Sequence, residues 1–379
     1  MHCRCLRALG ILVVCALTGM AQLAGAQDLT PATHGVPLPG QGPRAYVAIV
    51  IDDLANLGLW TKLADDSDAF GIKTTLALNT AQATPQDYAA LAQRIARGHE
   101  VANHTRDHVP VAPGGVLRLR YFDAKATSAA AVIDETGQKL RIVVNGQTPV
   151  AEFDLSAKGP TPSLKALVGA INGTPGMAAE LADPYDANIQ SRFLAARNQV
   201  DIFFKNGFVP LFVDVAAHAR YEMEGGKSDI QAGLPGYTCD SMVYPFLVTD
   251  PISRQITQEL KMTSGRVGPA GYAALGAPTG YDLYQIYAIK PRDLFGPDPS
   301  RPDFATKVAA FLKKIKEVGG VCCLYSHGPG EFTNEQWKTL LALLSKDKDV
   351  AYVTLRELAA YVRHTAQLRG GKYYLPAAK

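Results

Sequence analysis

The chain has 379 residues, of which 47% are hydrophobic and 19% are charged, and this balance excludes a disordered protein. Its formal charge is +3, from 38 Lys and Arg against 35 Asp and Glu, and basic residues form no run of five or more. Nucleic acid is therefore not an expected partner. The length suits one large α/β barrel, or a catalytic domain with a smaller companion.

Residues 1–26 have the pattern of a secretory signal peptide, which predicts a periplasmic or secreted protein. An apolar run from Leu9 to Thr18 follows two arginines and leads to a small-residue cleavage site at Ala24–Ala26. The run is shorter than the roughly 20 residues of a spanning helix, so we expect no stable membrane span after cleavage. The mature chain would begin at Gln27, with a Pro- and Gly-containing linker over residues 27–44.

Cleavage would leave three cysteines: Cys239, Cys322 and Cys323. In an oxidising compartment, Cys239 pairs with one of the two adjacent cysteines or remains a buried free thiol. The sequence leaves both alternatives open.

Alternating strand and helix patterns begin near Tyr46 and predict an α/β fold. Tyr46–Ile51 is an apolar run typical of a strand buried on both faces, and Lys73–Leu78 is a second strand. Helices are predicted over Leu57–Leu63 and from the N-cap Thr84 to Arg97. In such folds, site residues lie at the carboxyl ends of the strands.

Residues 124–192 interrupt this alternation, and we interpret them as a small inserted β-rich module. Asn145-Gly146 predicts a hairpin, and Ser163 caps a helix that ends at Gly173. We expect the module to fold as a unit away from the functional site. Its predicted strands are Ala129–Ile133, Leu140–Val144 and Val150–Leu155.

The α/β pattern resumes after the module, so residues 45–123 and 193–365 would form the catalytic barrel, with a tail over 366–379. A less regular stretch extends to about Pro302. The predicted helices are Val200–Asn206, Phe304–Val318, Asn334–Leu344 and Leu355–Val362, and the predicted strands are Val209–Val213, Asp240–Tyr244, Val321–Tyr325 and Val350–Val353.

Two carboxylates, Asp52 and Asp53, end the first strand. Burying adjacent carboxylates costs several kcal/mol without a compensating cation, although a helix cap explains such a pair equally well when it stands alone. His104 and His108 are four residues apart, a spacing that places two imidazoles on one helical turn. One Asp with two His leaves a coordination position open, which is typical of a catalytic metal site.

A further histidine, His327, ends the predicted strand Val321–Tyr325 and would lie at the same end of the sheet as the acids. It is either a general acid or a hydrogen-bonded core histidine. We interpret His99 and His218 as structural.

These motifs resemble those of the polysaccharide deacetylases of carbohydrate esterase family four. Val50–Asp53 resembles the first motif of the family, and His104–His108 matches its H(S/T)xxH metal motif. Leu324–His327 resembles the final motif, and Val243–Phe246 is similar to a substrate-groove motif. The first motif also resembles that of the divergent polysaccharide deacetylases.

The resemblance implies a distorted (β/α) barrel of polysaccharide-deacetylase type with fewer than eight strands. It implies that Asp53, His104 and His108 bind a divalent metal, with Zn²⁺ favoured and Co²⁺ or Ni²⁺ as alternatives. It further implies that Asp52 is the base and His327 the acid. The residues implied to bind substrate are Tyr244, Pro245 and Phe246.

The sequence departs from the family pattern at three places. Leu54 stands where a Gly follows the paired acids, and Val243 stands where many members have an arginine that supports the base, for which Arg266 is a candidate substitute. The acidic residue and Trp that orient the catalytic His in many members are not evident, because Trp60 and Trp337 lie elsewhere.

We therefore expect a metal-dependent hydrolase that removes acetyl groups from an N- or O-acetylated glycan. One alternative is an inactive carbohydrate-binding or assembly protein on the same fold, and another is a hydrolase of non-glycan amides. The oligomeric state is left open.

Overall fold

The computed structural model describes residues 45–53, 57–146, 149–203, 207–268, 280–317, 320–328 and 331–374. The predicted signal peptide and linker lie outside this part of the chain, as do Leu54 and residues 375–379. No helix within the described ranges is long and apolar enough to cross a bilayer.

The strands and helices follow one another in an order that begins as α/β, turns to antiparallel β, and returns to α/β. The strands are β1 (Ala45–Ile51), β2 (Thr75–Leu78), β3 (Glu100–Asn103), β4 (Gly115–Tyr121), β5 (Ala129–Ile133), β6 (Lys139–Val144), β7 (Ala151–Asp154), β8 (Met177–Leu181), β9 (Arg197–Asp201), β10 (Val209–Phe212), β11 (Ser241–Val243), β12 (Ser264–Val267), β13 (Ile286–Ile289), β14 (Val321–Ser326), β15 (Val350–Val353), β16 (Gln367–Arg369) and β17 (Lys372–Tyr374). The helices are α1 (Leu57–Asp68), α2 (Pro85–Ile95), α3 (Leu164–Asn172), α4 (Val215–Gly233), α5 (Pro251–Glu259), α6 (Pro291–Phe295), α7 (Pro302–Glu317), α8 (Asn334–Leu344) and α9 (Leu355–Thr365).

Seven parallel strands form a closed barrel in the order β14-β13-β12-β11-β3-β2-β1, and pairing of β1 with β14 closes the ring. Strand β15 pairs with the first half of β1. This architecture confirms the predicted distorted (β/α) barrel. Because the strands are parallel, the residues that follow them meet at one end of the barrel.

Both faces of β1 are covered, which explains its continuous apolar sequence. Val47, Ile49 and Ile51 pack in a cluster with side chains of α1, α7 and α8. The alternate residue Tyr46 faces the other way and stacks on Tyr361 of α9, with ring centroids 3.7 Å apart.

Helix α9 covers the amino ends of the barrel strands. The backbone N–H of Leu355 donates to Thr75 Oγ1 and that of Arg356 donates to Glu100 Oε2, at the starts of β2 and β3. The Arg356 side chain donates to Asp240, which directly precedes β11. The carboxyl ends of the strands are therefore the end at which a site can open.

Two antiparallel sheets, β10-β4-β8 and β7-β6-β5-β9, follow β3 and enclose a hydrophobic cluster of their own. Asn145 and Gly146 lie between the paired strands β6 and β7, with φ angles of 53° and 68°. The antiparallel strands extend from Gly115 to Phe212, beyond the predicted module limits of 124 and 192. The division of the chain into domains stays a prediction.

The prediction of a helix over Val200–Asn206 is wrong for its described residues, because Val200 and Asp201 are the last residues of β9. Strand β9 is an edge strand with mostly exposed side chains, so its pairing with β5 decides its conformation and no hydrophobic pattern marks it. The predicted strand Val209–Val213 is β10, but it pairs antiparallel with β4 and lies outside the barrel.

The three described cysteines, Cys239, Cys322 and Cys323, are buried and free. Burial raises the pKa of the Cys239 and Cys322 thiols to about 12, so both stay protonated at neutral pH. The free-thiol alternative therefore describes the structure.

Candidate metal centre

The three predicted metal ligands converge at the carboxyl end of the barrel. Asp53 Oδ1 lies 3.0 Å from His104 Nε2 and 3.0 Å from His108 Nε2. One ligand atom from each residue falls within 4.8 Å of the other two. This arrangement can hold one divalent cation with positions left over for other ligands.

The His104–His108 segment is a loop, and the prediction that both imidazoles lie on one helical turn is wrong. Strand β3 ends at Asn103, and Thr105 and His108 have φ angles of 68° and 52°, which no α-helix contains. The loop turns the rings towards each other, with centroids 4.8 Å apart. The two histidines, four residues apart, are therefore brought together by a compact turn that follows β3.

Side chains of helix α4 fix this loop through hydrogen bonds. Glu222 Oε2 accepts the backbone N–H groups of Arg106 and Asp107, at 3.1 and 2.8 Å. The Arg106 guanidinium donates to both carboxylate oxygens of Asp229, at 2.8 and 2.7 Å. Burial raises the pKa of Glu222 to about 8, although the two N–H groups favour its ionised form. Neither Glu222 nor Asp229 is predicted from the sequence.

Gly226 lets α4 approach the loop closely, so a larger side chain at this position should disturb the loop. A Cβ at residue 226 would lie 2.3 Å from Asn103 Oδ1 and 3.0 Å from the Thr105 carbonyl carbon. We expect Gly226→Ala to displace the loop and weaken metal affinity by about 10- to 100-fold, the usual cost of disturbing a supporting contact. Calorimetric titration with Zn²⁺ measures this loss.

Gly169→Ala is the matched control, because a Cβ at this helical position of α3 meets nothing within 4 Å. Both substitutions gain helix propensity, so only the loop contact distinguishes them. Equal metal affinity of the two variants would show that α4 does not position the ligands.

The His104 ring is fixed by its second nitrogen. Its Nδ1 lies 2.7 Å from the Val243 carbonyl oxygen, which only accepts, so Nδ1 carries the proton and Nε2 faces Asp53. Burial opposes ionisation of Asp53, but its contacts with His104 and His108 outweigh burial and hold the pKa of the carboxyl well below its usual range. The Asp53 carboxyl group is therefore ionised at neutral pH.

Asp52 is buried beside the ligands and pairs with Arg266. Arg266 on β12 is fully buried and donates from Nη2 to Asp52 Oδ2. Asp52 Oδ1 is buried and has no hydrogen-bond partner among the described residues. The guanidinium that the sequence lacks at Val243 is thus supplied by Arg266 on the neighbouring strand, and it compensates the buried carboxylate.

His327 follows β14 and faces both acids. Its Nε2 lies 4.0 Å from Asp52 Oδ2 and 4.0 Å from Asp53 Oδ2. Its Nδ1 lies 2.8 Å from Glu331 Oε1, and Glu331 also pairs with Lys290 at 2.6 Å. Glu331 is thus the acidic partner of His327, and the sequence alone did not predict it. Its signal in the sequence is an acid four residues after His327, beyond the residues Gly-Pro-Gly.

A cavity of about 590 Å³ is lined by the three predicted metal ligands, Asp52 and His327. Of the three residues implied to bind substrate, Phe246 lines it, with its ring centroid 4.8 Å from that of His108. Tyr244 is buried, and its hydroxyl lies 2.6 Å from Thr257 Oγ1, so the structure places it away from the cavity. Pro245 is buried as well.

The segment after β8 also reaches this cavity, so the expectation that residues 124–192 fold away from the site is wrong. Pro184–Asn188 forms a short 3₁₀ turn capped by Asp183. Tyr185 in this turn packs against Phe246, with centroids 4.3 Å apart and ring planes at 31°. No sequence pattern links these rings, which are 61 positions apart.

The fold and site define a parallel barrel with a candidate Asp-His-His metal site at the carboxyl ends of its strands. No family model and no curated protein matches the sequence. Similar solved structures exist, and the chain resembles the polysaccharide deacetylases of carbohydrate esterase family four, as predicted.

Three of these structures show the extent of the similarity. A provisionally assigned polysaccharide deacetylase from Mycobacterium smegmatis is 13% identical, with a TM-score of 0.44, and the alignment covers 87% of this chain and 93% of that one. A family 4 carbohydrate esterase from Streptomyces lividans, in complex with acetate, is 12% identical over 88% and 100%, with a TM-score of 0.39. A family pseudoenzyme from Bacillus anthracis is 9% identical over 83% and 66%, with a TM-score of 0.40.

Proposed function

We propose that this chain is an exported, metal-dependent deacetylase that removes acetyl groups from an N- or O-acetylated glycan. The observation that carries the proposal is the meeting of the Asp-His-His set with Asp52 and His327 over one cavity. Two imidazoles and one carboxylate suit Zn²⁺, with Co²⁺ and Ni²⁺ as alternatives. Export rests on the signal-peptide pattern in residues 1–26, outside the described residues.

Asp53, His104 and His108 would hold the cation. When bound, the cation lowers the pKa of a water molecule towards 7 and polarises the acyl carbonyl group. Asp52 lines the cavity and has Oδ2 fixed by Arg266, so its carboxylate would accept the proton of an attacking water. The three ligands and the base are thereby separate groups.

His327 would donate a proton from Nε2 to the leaving amine or alcohol. The Glu331 carboxylate accepts a hydrogen bond from Nδ1 of His327. This bond orients the ring and leaves its Nε2 directed towards the cavity. The same hydrogen bond is the largest cause that raises the pKa of His327 above its usual value, while burial opposes it. His327 is thus kept protonated to a higher pH.

Removing the Glu331 charge tests this role through a pH profile. A general acid works only when protonated, so the rate falls as pH rises through the pKa of His327. Glu331→Gln removes the charge that raises this pKa, and we expect the falling limb of kcat/KM on an acetamide substrate to move to lower pH.

Glu335→Gln is the control, because Glu335 is an exposed residue of α8 that pairs with Lys338. It should keep the wild-type limb. An unchanged limb in Glu331→Gln would show that Glu331 does not control the proton on His327.

Acetate release tests the proposed function itself. We expect the Zn²⁺-loaded protein to release acetate from at least one of chitin oligomers, peptidoglycan, poly-N-acetylglucosamine and acetylated xylan. Glycan binding without acetate release would favour an inactive carbohydrate-binding protein. Release from small amides alone would favour a non-glycan hydrolase.

A further inference from the structure

A second cavity of about 720 Å³ adjoins the candidate metal centre. Both cavities are lined by Asp53, His108 and Asn188, so together they form a cleft that passes the metal ligands. The walls of the second cavity come from α4, through Tyr221, and from the antiparallel region, through Arg192. A glycan that reaches the metal from the first cavity can therefore extend into the second.

Arg192 brings a positive charge to this cavity, which the carboxylates of Asp53 and Asp107 also line. Its guanidinium carbon lies 4.8 Å from the ring centroid of Phe193 and 4.8 Å from that of Tyr221, so two aromatic rings hold it. Within the described residues it makes no ion pair or hydrogen bond, and its Nε is buried without a partner. A planar guanidinium held in this way is prepared to bind a carboxylate.

The other arginine of the cavity is different. Arg106 donates to both oxygens of Asp229, so its charge is already neutralised. The carboxylate of Asp107 accepts a hydrogen bond from Gln190 Nε2 at 3.2 Å, and Gln190 also donates to the Tyr221 hydroxyl at 2.8 Å. Gln190 thereby fixes the Tyr221 ring that Arg192 contacts. Asp107 is hydrogen-bonded to Gln190 and forms no ion pair with Arg192 within the described residues.

We propose that Arg192 binds a carboxylate of the substrate, so the acetylated glycan is an acidic one. The carboxylate would belong to a uronic acid or to an amino sugar that carries an acidic ether group, in a sugar unit next to the acetylated one. This inference rests on the proposed deacetylase function, and it assigns the Arg192 side of the cleft as the determinant of substrate charge.

The test compares an acetylated acidic oligosaccharide with the same oligosaccharide after reduction of its carboxylates to alcohols. We expect wild-type kcat/KM to favour the acidic form by about 10- to 100-fold, the scale of a hydrogen bond to a charged group. Arg192→Gln should bring this ratio close to one, mainly by raising KM for the acidic form. Arg192→Lys should restore part of it, because it keeps the charge and loses the planar fork.

Arg118→Gln is the matched control, because Arg118 is an exposed residue of β4 that pairs with Glu180. It should keep the wild-type ratio. Equal use of both oligosaccharides by the wild type would overturn the role of Arg192 and leave the deacetylase function standing.

Release of acetate from neither oligosaccharide would count against the proposed function. Calorimetric binding of the two oligosaccharides then still tests Arg192. Tighter binding of the acidic form by wild type than by Arg192→Gln would support the subsite. Equal binding of both forms would overturn it.

Discussion

Replacement of Asp52 by Asn should lower turnover by about 10²-fold or more while the protein keeps its metal. The amide has the shape of the carboxylate but cannot accept the proton of the attacking water. Asp52 is not part of the converging ligand set, and its Oδ2 is held by Arg266. The measurements are kcat on an acetylated glycan and the metal content of the purified variant.

Asp349→Asn is a suitable control, because Asp349 is an exposed carboxylate remote from the cavity. Its turnover should match that of the wild type. If Asp52→Asn released the metal, Asp52 would be a ligand and the assignment of the base would be wrong.

Replacement of His104 by Ala should abolish metal binding and activity together. The substitution removes one of three protein ligands, so the loss of affinity should exceed the about 10- to 100-fold that a supporting contact costs. Because His104 is buried, thermal unfolding followed by circular dichroism should establish that the variant folds. Metal titration then measures the loss.

His364→Ala provides the matched histidine substitution, since His364 is exposed in the last turn of α9. It should bind metal as the wild type does. Full metal affinity in a folded His104→Ala variant would mean that the cation binds elsewhere.

The residues at the carboxyl ends of the barrel strands could be named from sequence because their signals are local. Asp52 and Asp53 end a continuous apolar strand, and His327 ends another. His104 and His108 belong to one five-residue motif. Parallel strands bring such residues to one end of a barrel. The structure places all five around one cavity.

The residues that support this centre could not be named in the same way. Glu222 lies 116 positions from Arg106, whose backbone N–H donates a hydrogen bond to it. Arg266 lies 214 positions from its partner Asp52. Such contacts depend on packing between distant elements, which no local pattern records. Arg266 could be named only as a candidate, and only because the family pattern requires a guanidinium near Asp52.

The errors in secondary structure have related causes. Helix α4 has 19 residues but was not predicted, because the adjacent Gly225 and Gly226 have low helix propensity. Gly226 is needed there because the helix packs closely against the His104–His108 loop. Strands β12 and β13 have four residues each and are too short for a distinct pattern. They are ordered by their neighbours in the barrel.

The central claim is that metal held by Asp53, His104 and His108 drives deacetylation, and reconstitution of the chelator-treated protein tests it most directly. Acetate release from an acetylated glycan is measured as Zn²⁺ is added back. We expect no release from the metal-free protein and a rise that saturates at about one ion per chain, the capacity of a single three-ligand site. Acetate release at the full rate by metal-free protein, or saturation with metal without any release, would contradict the account.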